Sequence, residues 1–262
     1  MLLVADNLRI TQPAVAAALD RRDAAPIKAL VERCVAAGAQ AMDINPGPLS
    51  REAADRMRFL VKTVQTACDL PILLDTTNTE AVAAGLRAAR GRVIINGFSL
   101  EPHKLKKMLP LAVESGAEIV GYLLTDRSQV PISLAERMEI AVTLYQAAKD
   151  AGLRDEQLII DPVVVPLAWD DGPRRNRETL ELIRQLPDLM GCPVQTIAGL
   201  SNLTSGAPDT RRRTLLQSAY LPMLAAAGLS MALMDATSPR TMALAAASSL
   251  LGREQIFAWD AL

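Results

Sequence analysis

The chain has 262 residues, of which 50% are hydrophobic and 22% are charged, so it can bury one large core. Its net charge of −1 argues against a general binder of nucleic acid or of membrane surfaces. One histidine and three widely spaced cysteines give little support to a zinc site. Free thiols suit a reducing compartment, and we therefore expect a cytoplasmic protein.

The sequence gives no sign of export or of membrane insertion. Residues 1–10, MLLVADNLRI, lack the basic region and the longer apolar run of a signal peptide. No apolar run in the chain reaches the length of a membrane-spanning helix. We therefore expect no association with a membrane.

Short apolar runs alternate along the chain with segments of helical periodicity. The predicted strands are residues 2–4, 41–45, 71–75, 93–96, 118–124, 158–163, 194–200 and 231–235. The predicted helices are residues 26–37, 50–67, 79–89, 102–115, 133–151, 176–186, 210–227 and 239–251. Helix starts are indicated by cap residues such as Ser50 and Ser133, and helix ends by glycines such as Gly116 and Gly228.

Eight strands in strict alternation with eight helices predict a parallel sheet with right-handed crossovers. Units of roughly 30 residues match a closed (β/α)8 TIM barrel of about 250 residues, which folds as a single domain. We therefore predict one α/β barrel domain over residues 1–262. A doubly wound open sheet is the alternative, but no glycine-rich fingerprint follows the first strand.

Most of the predicted strands end in aspartate or asparagine, which places these side chains at one rim of a barrel, where TIM-barrel active sites lie. The rim residues are Asp43, Asn45, Asp75, Asn96, Asp161, Asn202 and Asp235. Carboxylates and amides suit the recognition of a flat heterocycle, because the former accept hydrogen bonds and the latter both donate and accept. Two alternatives are helix capping and, more weakly, metal binding by Asp43 and Asp161.

Five segments resemble the pterin-binding barrel superfamily, in order along the whole chain. They read MDINPG at 42–47, LDTTN at 74–78, IIN at 94–96, IDP at 160–162 and GLSN at 199–202. The superfamily includes dihydropteroate synthase, the folate domain of cobalamin-dependent methionine synthase, and methyltetrahydrofolate:corrinoid/iron–sulfur protein methyltransferases. GLSN resembles the methyltransferase branch, since dihydropteroate synthases carry a Ser-Arg-Lys type run there. One departure is ADNLRI at 5–10, where the corrinoid branch often has GERIN.

The resemblance implies a methyltransferase that moves the N5 methyl group of 5-methyltetrahydrofolate to cob(I)alamin, or the reverse. The folate is then a substrate, and the cobalamin belongs to a partner corrinoid protein rather than to this chain. The implied substrate-binding residues are Asp43, Asn45, Asp75, Asn96, Asp161 and Asn202, without a metal. Asn202 and Asp75 are the implied catalytic residues, because the leaving N5 needs a hydrogen bond or a proton. The family is commonly dimeric, which implies a homodimer.

Two other functions stay open at this stage. One is a dihydropteroate synthase-like pterin enzyme, and the other is a folate-binding barrel without catalysis. A further segment, Arg211-Arg212-Arg213, either forms a solvated surface or grips the glutamyl tail of folate or an acidic partner.

Overall fold

The computed structural model describes residues 1–47 and 52–252, and its centre is a closed barrel of eight parallel strands. The strands follow one another around the barrel in chain order, and β8 closes it by pairing with β1. They are β1 (Leu2–Arg9), β2 (Ala41–Asn45), β3 (Ile72–Asp75), β4 (Val93–Phe98), β5 (Glu118–Tyr122), β6 (Leu158–Asp161), β7 (Gln195–Gly199) and β8 (Met231–Met234). The predicted (β/α)8 fold is confirmed.

The helices surround the barrel and connect its strands. They are α1 (Pro13–Arg21), α2 (Ala24–Ala36), α3 (Ala53–Ala67), α4 (Thr79–Ala88), α5 (Pro102–Ser115), α6 (Leu134–Asp150), α7 (Gly172–Met190), α8 (Thr210–Ala227) and α9 (Pro239–Leu251). Ser133 caps α6 as predicted, since its side chain accepts from the backbone N–H of Glu136. The predicted cap Ser50 lies outside the described residues.

The sequence prediction of the first connection was wrong, because two helices follow β1 instead of one. Helix α1 buries Val15, Ala18 and Leu19, and this short, alanine-rich stretch carries a narrow apolar face that was not recognised. The first strand is also longer than predicted and runs to Arg9. Its pairing with β2 shifts register between Ala5 and Leu8, so the polar residues within β1 interrupt the apolar run without ending the strand.

One apolar layer fills the interior of the barrel, and each strand contributes one side chain to it. These residues are Val4, Ala41, Leu73, Ile94, Val120, Ile159, Ile197 and Met231. Because side chains along a strand alternate between its two faces, the residue two positions further on points into the same interior. Those next positions are Asp6, Asp43, Asp75, Asn96, Tyr122, Asp161, Gly199 and Leu233. The barrel interior therefore changes from apolar to polar at the C-terminal ends of the strands.

An irregularity in β4 helps to place the polar layer. The pairing of β4 with β5 shifts register between Asn96 and Phe98, around Gly97. A Cβ atom on Gly97 would lie 2.2 Å from the carbonyl oxygen of Val120, so the close approach of the two strands requires glycine. This approach brings the end of β4 against β5, where Asn96 meets a side chain of the neighbouring strand.

Within the two described ranges, no helix is both long and apolar enough to cross a membrane.

Candidate functional site

A cavity of about 220 Å³ opens at the C-terminal ends of the strands. It is lined by Asp6, Arg9, Asp43, Asn45, Asp75, Asn96, Tyr122, Asp161, Gly199, Ser201, Asn202 and Leu233. All six residues predicted to bind substrate are therefore brought together. A larger cavity, of about 690 Å³, lies around Leu3, Gly38 and Gly228 at the opposite end of the barrel, and none of the described residues that line it has an acidic or basic side chain.

Asp75, at the end of β3, is held by its neighbour on β2. Asn45 Nδ2 donates to Asp75 Oδ2 at 2.5 Å, and Asn45 Oδ1 accepts from the backbone N–H of Gly47 at 2.9 Å. Burial raises the pKa of Asp75 to about 6, although the hydrogen bond from Asn45 opposes this rise. Asp75 can therefore exchange a proton near neutral pH, as a general acid or base must.

Asn96 links three strands through its carboxamide. Its Nδ2 donates to Asp43 Oδ1 at 3.3 Å, and its Oδ1 accepts from the hydroxyl of Tyr122 at 2.6 Å. Asp43 is only 3% exposed. Burial raises its pKa well above the usual range, and the nearby charges of Asp75 and Asp6 add to this effect. The amide is thus fixed between a protonated phenol on β5 and a carboxyl group on β2.

Asp161 ends β6 and carries the third carboxyl group of the predicted set. Its Oδ1 accepts from the backbone N–H of Val163 at 2.8 Å. Burial raises the pKa of Asp161 to about 7, and this hydrogen bond opposes the rise. Val163 has φ 61°, a left-handed conformation that is costly for a β-branched residue. Backbone strain thus accompanies the turn that positions this carboxyl group.

Asn202 lies at the mouth of the cavity, on the 3₁₀ turn Leu200–Thr204 that follows β7. A Cβ atom on Gly199 would lie 3.2 Å from Asn202 Nδ2, so the amide packs against the end of the strand. In the part of the chain that the structure describes, the Asn202 side chain has no hydrogen-bond partner and is exposed. The cap of α8 is Asp209, which accepts from Arg212 N at 2.8 Å, so Asn202 is not needed for that role.

Asp235 was placed at the same rim by its sequence, but it does not line the cavity. It accepts from Asn7 Nδ2 at 2.6 Å and from the backbone N–H of Thr237 at 2.8 Å. Asn7 Oδ1 in turn accepts from the backbone N–H of Ala236 at 2.9 Å. These bonds join β1 to the turn after β8, which gives Asp235 a structural role.

Sequence reasoning missed Asp6, Arg9 and Tyr122 as cavity residues. Asp6 is 6% exposed, and Arg9 Nη1 lies 3.4 Å from Asp6 Oδ2. Burial raises the pKa of Asp6, while the guanidinium of Arg9 opposes the rise. Asp6 and Tyr122 each follow an inward-facing residue, Val4 or Val120, by two positions, and this spacing is the signal that could have found them.

Two further sequence features, the arginine run and the single histidine, lie away from the cavity. Arg211, Arg212 and Arg213 are all exposed at the start of α8. The single histidine, His103, is 65% exposed on α5, and its Nε2 lies 3.5 Å from Glu101. Among the described residues, no group of three or more His, Cys, Asp or Glu side chains is arranged to hold a metal ion.

A family model for pterin binding enzymes matches residues 10–235 of this chain. The chain belongs to this family. Six of the eight inward-facing positions at the C-terminal ends of the strands carry a carboxyl, amide or phenol group, and five of these six, from β2 to β6, lie in the matched range. The confirmed family agrees with the resemblance seen in the sequence.

Relatives of this chain include a methyltransferase and methionine synthases. A methylcorrinoid:tetrahydrofolate methyltransferase from Eubacterium limosum is 25% identical over 261 residues, which are 98% of this chain and 93% of that protein. The methionine synthase of Mycobacterium tuberculosis is 30% identical over 212 residues, or 76% of this chain. The match spans only 17% of that larger protein.

Several solved structures of similar fold are dihydropteroate synthases. The enzyme from Stenotrophomonas maltophilia, with imidazole bound, has a TM-score of 0.71 at 18% identity, and the match covers 97% of this chain and 94% of that one. The enzyme from Xanthomonas albilineans with 4-aminobenzoic acid has a TM-score of 0.69 at 19% identity, covering 96% and 92%. At these identities the likeness shows the barrel fold alone.

Proposed function

We propose that this protein transfers a methyl group between N5 of 5-methyltetrahydrofolate and the cob(I)alamin of a partner corrinoid protein. The observation that carries the proposal is the convergence of Asp75, Asn96, Asp161 and Asn202 on one cavity. These residues come from the segments that resemble the pterin-binding barrel superfamily, and Asn202 belongs to GLSN, the segment that resembles the methyltransferase branch. A relative aligned over nearly the whole chain is named as a methyltransferase that acts on a methylcorrinoid and tetrahydrofolate.

The cavity suits a pterin ring by size and by hydrogen-bonding chemistry. A volume of about 220 Å³ accommodates a bicyclic ring but not a corrin macrocycle. The donor edge of the ring, with its 2-amino group and N3–H, matches the carboxyl group of Asp161, which has one oxygen left beyond its bond to Val163. The corrinoid must therefore come on a separate protein, over the open mouth where Asn202 is exposed.

The chain's own residues act on the leaving nitrogen. The partner's cob(I)alamin would supply the nucleophile for the methyl group, while N5 keeps the electron pair of the broken N–C bond. Asn202 Nδ2 is free to donate to N5 as that bond breaks, which stabilises the transition state more than the bound substrate. Asp75, whose pKa is about 6, can hold the proton that N5 gains, directly or through a water molecule.

Dihydropteroate synthesis is the second candidate, because the solved structures of similar fold catalyse it. The cavity lining offers little for it, since Arg9 is the one basic side chain among the described lining residues and His103 is remote. Incubation with 5-methyltetrahydrofolate and cob(I)alamin should change the cobalt absorbance. Incubation with pterin diphosphate and p-aminobenzoate should give no dihydropteroate. Formation of dihydropteroate without a change in cobalt absorbance would instead favour dihydropteroate synthesis over methyl transfer.

Asn202 provides the sharpest test of the methyl-transfer chemistry. Asn202→Ala should lower the single-turnover rate of methyl transfer by about 10²–10³ at saturating substrate, with a smaller effect on affinity. Asn202→Asp is the matched control for size, because at neutral pH it keeps the shape but loses the donor, and it should be as slow. A normal transfer rate in both variants would remove Asn202 from the mechanism.

A tightly bound pterin that never turns over would instead favour a non-catalytic folate-binding barrel.

We further propose that a homodimer forms through α8. Leu215, Leu216 and Met223 are 52%, 40% and 46% exposed, and together with exposed Ala219 they share one face of this helix. Contiguous apolar surface of this kind marks interaction sites. Sedimentation of the wild type and of Leu215→Glu should show a dimer and a monomer, respectively, and a monomeric wild type would refute the proposal.

A further inference from the structure

Tyr122 places a hydroxyl group inside the cavity, at the end of β5. This hydroxyl donates to Asn96 Oδ1 at 2.6 Å, a shorter bond than the 3.3 Å between Asn96 Nδ2 and Asp43 Oδ1. Burial raises the pKa of Tyr122 well above its usual value, and the charges of neighbouring carboxyl groups add to this effect. The phenol therefore keeps its proton at neutral pH and donates it to Asn96.

After these two hydrogen bonds, the Asn96 carboxamide can still make a defined set of further hydrogen bonds. A carboxamide has two lone pairs on oxygen and two hydrogens on nitrogen. One lone pair of Oδ1 is used by Tyr122 and one hydrogen of Nδ2 by Asp43. A ligand in the cavity thus meets one acceptor, on the side of β5, and one donor, on the side of β2.

The opposite orientation of the amide is disfavoured chiefly by Tyr122. Turning the amide over would place Nδ2 against the phenol, whose proton would lose its acceptor in a buried setting. Asp43 opposes the turn less, because burial raises its pKa and a neutral carboxyl group can donate as well as accept. The phenol is thus the group that distinguishes the two orientations.

We propose that Tyr122 is a positioning residue, which fixes the Asn96 amide so that the site prefers a reduced pterin over the fully oxidised ring. This inference rests on the proposed function, since it requires a pterin in the cavity. Sequence motifs of the site do not contain Tyr122, and its role follows from its hydrogen bond and its place in the cavity wall.

The preference follows from one nitrogen of the ring. A reduced pterin carries a hydrogen on N8, whereas the fully oxidised ring presents a lone pair there. The wall from β3 to β6 offers acceptors, namely Asp75, Asn96 Oδ1 and Asp161. The reduced ring supplies a donor to this wall, whereas the oxidised ring places an acceptor against it and leaves buried groups unpaired.

The test compares two ring fragments without the benzoylglutamate tail, 6-methyl-tetrahydropterin and 6-methylpterin. Their dissociation constants are measured anaerobically by calorimetry for the wild type and for Tyr122→Phe. The wild type should prefer the reduced ring, and the variant should reduce this preference about five- to tenfold, because Asn96 can then turn over. Tyr145→Phe is the control, because the Tyr145 hydroxyl donates to Asp155 outside the cavity. An unchanged ratio in Tyr122→Phe, with an unchanged melting temperature, would overturn the proposal.

A second measurement separates this inference from the proposed function. In ligand-free protein, the side-chain amide signal of Asn96 is assigned by its loss in Asn96→Asp. Tyr122→Phe should shift that signal and speed its hydrogen exchange, and an unchanged signal would overturn the positioning role. A wild type that binds neither ring would refute the proposed function and the ring preference together, whereas the amide signal still reports on the positioning of Asn96.

Discussion

Two layers of the barrel interior differ in chemistry on six of the eight strands, although they lie only two residues apart along each strand. The lower layer, from Val4 on β1 to Met231 on β8, consists of aliphatic side chains that are at most 2% exposed. The layer above it contains four aspartates, one asparagine and one tyrosine. The same backbone therefore supports a packed core and a polar cavity in succession.

The difference shows that one layer of the barrel interior stabilises the fold and that the other is suited to binding a ligand. Removing aliphatic side chains from water is the main source of stability, and the lower layer supplies it. The upper layer works against stability, because burial raises the pKa values of Asp6, Asp43, Asp75 and Asp161. Each raised pKa means that the ionised carboxylate is less favourable in the folded protein than in the unfolded chain. Buried carboxyl groups of this kind are expected where they bind a ligand rather than stabilise the fold.

The largest effect is expected when an aspartate is introduced into the apolar layer. Leu73 is fully buried, and Leu73→Asp would bury a charge without a partner. We expect the free energy of unfolding to fall by roughly 3–5 kcal/mol or more, which approaches the whole stability of a domain. Urea unfolding followed by circular dichroism measures the change.

Leu73→Met is the matched control, because a volume-conserving apolar exchange should cost less than about 1.5 kcal/mol. If Leu73→Asp were as stable as Leu73→Met, the two layers would not differ as described.

The polar layer was predictable where an apolar run ends abruptly in a polar residue. Asp75 follows Ile72-Leu73-Leu74, and Asp161 follows Leu158-Ile159-Ile160, so both were found together with their strands. Asp6 was missed because β1 continues beyond it through an irregular register. Tyr122 was missed because an aromatic residue continues a strand pattern instead of ending it, so only the two-residue spacing from Val120 identifies it.

Helix boundaries were less predictable than the barrel itself. Helix α7 begins at Gly172 and ends at Met190, several residues beyond the predicted range 176–186 at both ends. Its first turn includes Arg175, which pairs with Asp171 at 2.7 Å, and Asn176 bonds back to the backbone of Val165. The bonds of Asn176 tie α7 to the loop that precedes it, and a periodic pattern within the helix does not reveal such contacts.

A pH titration of stability sharpens the contrast between the layers. The pKa of Asp161 is about 7 in the folded protein, above its value in the unfolded chain. The folded state therefore holds this proton more tightly, so the contribution of Asp161 to stability is largest at low pH and is lost as pH rises from about 4 to about 7. The contribution of Asp161 should fall by roughly 2–3 kcal/mol between pH 5 and pH 8.

Asp161→Asn isolates this contribution, because the amide oxygen can still accept from Val163 N but does not ionise. The stability of the variant relative to the wild type should increase with pH over that interval, as measured by urea unfolding at each pH. Asp75 and Asp43 titrate in both proteins and cancel in the difference. A difference that is constant with pH would show that Asp161 titrates normally.

The smallest effect concerns the ligand, and it tests whether the upper layer serves binding. Asp161→Ala should lower affinity for 5-methyltetrahydrofolate about tenfold to a hundredfold, since a hydrogen bond to a charged group contributes roughly 1.5–3 kcal/mol. At pH 8 the same change should leave unfolding stability unchanged or higher, because it removes a buried carboxylate. Asp188→Ala, an exposed position on α7, should change neither quantity. Calorimetry and urea unfolding measure the two effects on one preparation. Loss of stability with unchanged affinity would show that Asp161 stabilises the fold. The polar layer would then contribute to stability, as the apolar layer does, and not to ligand binding.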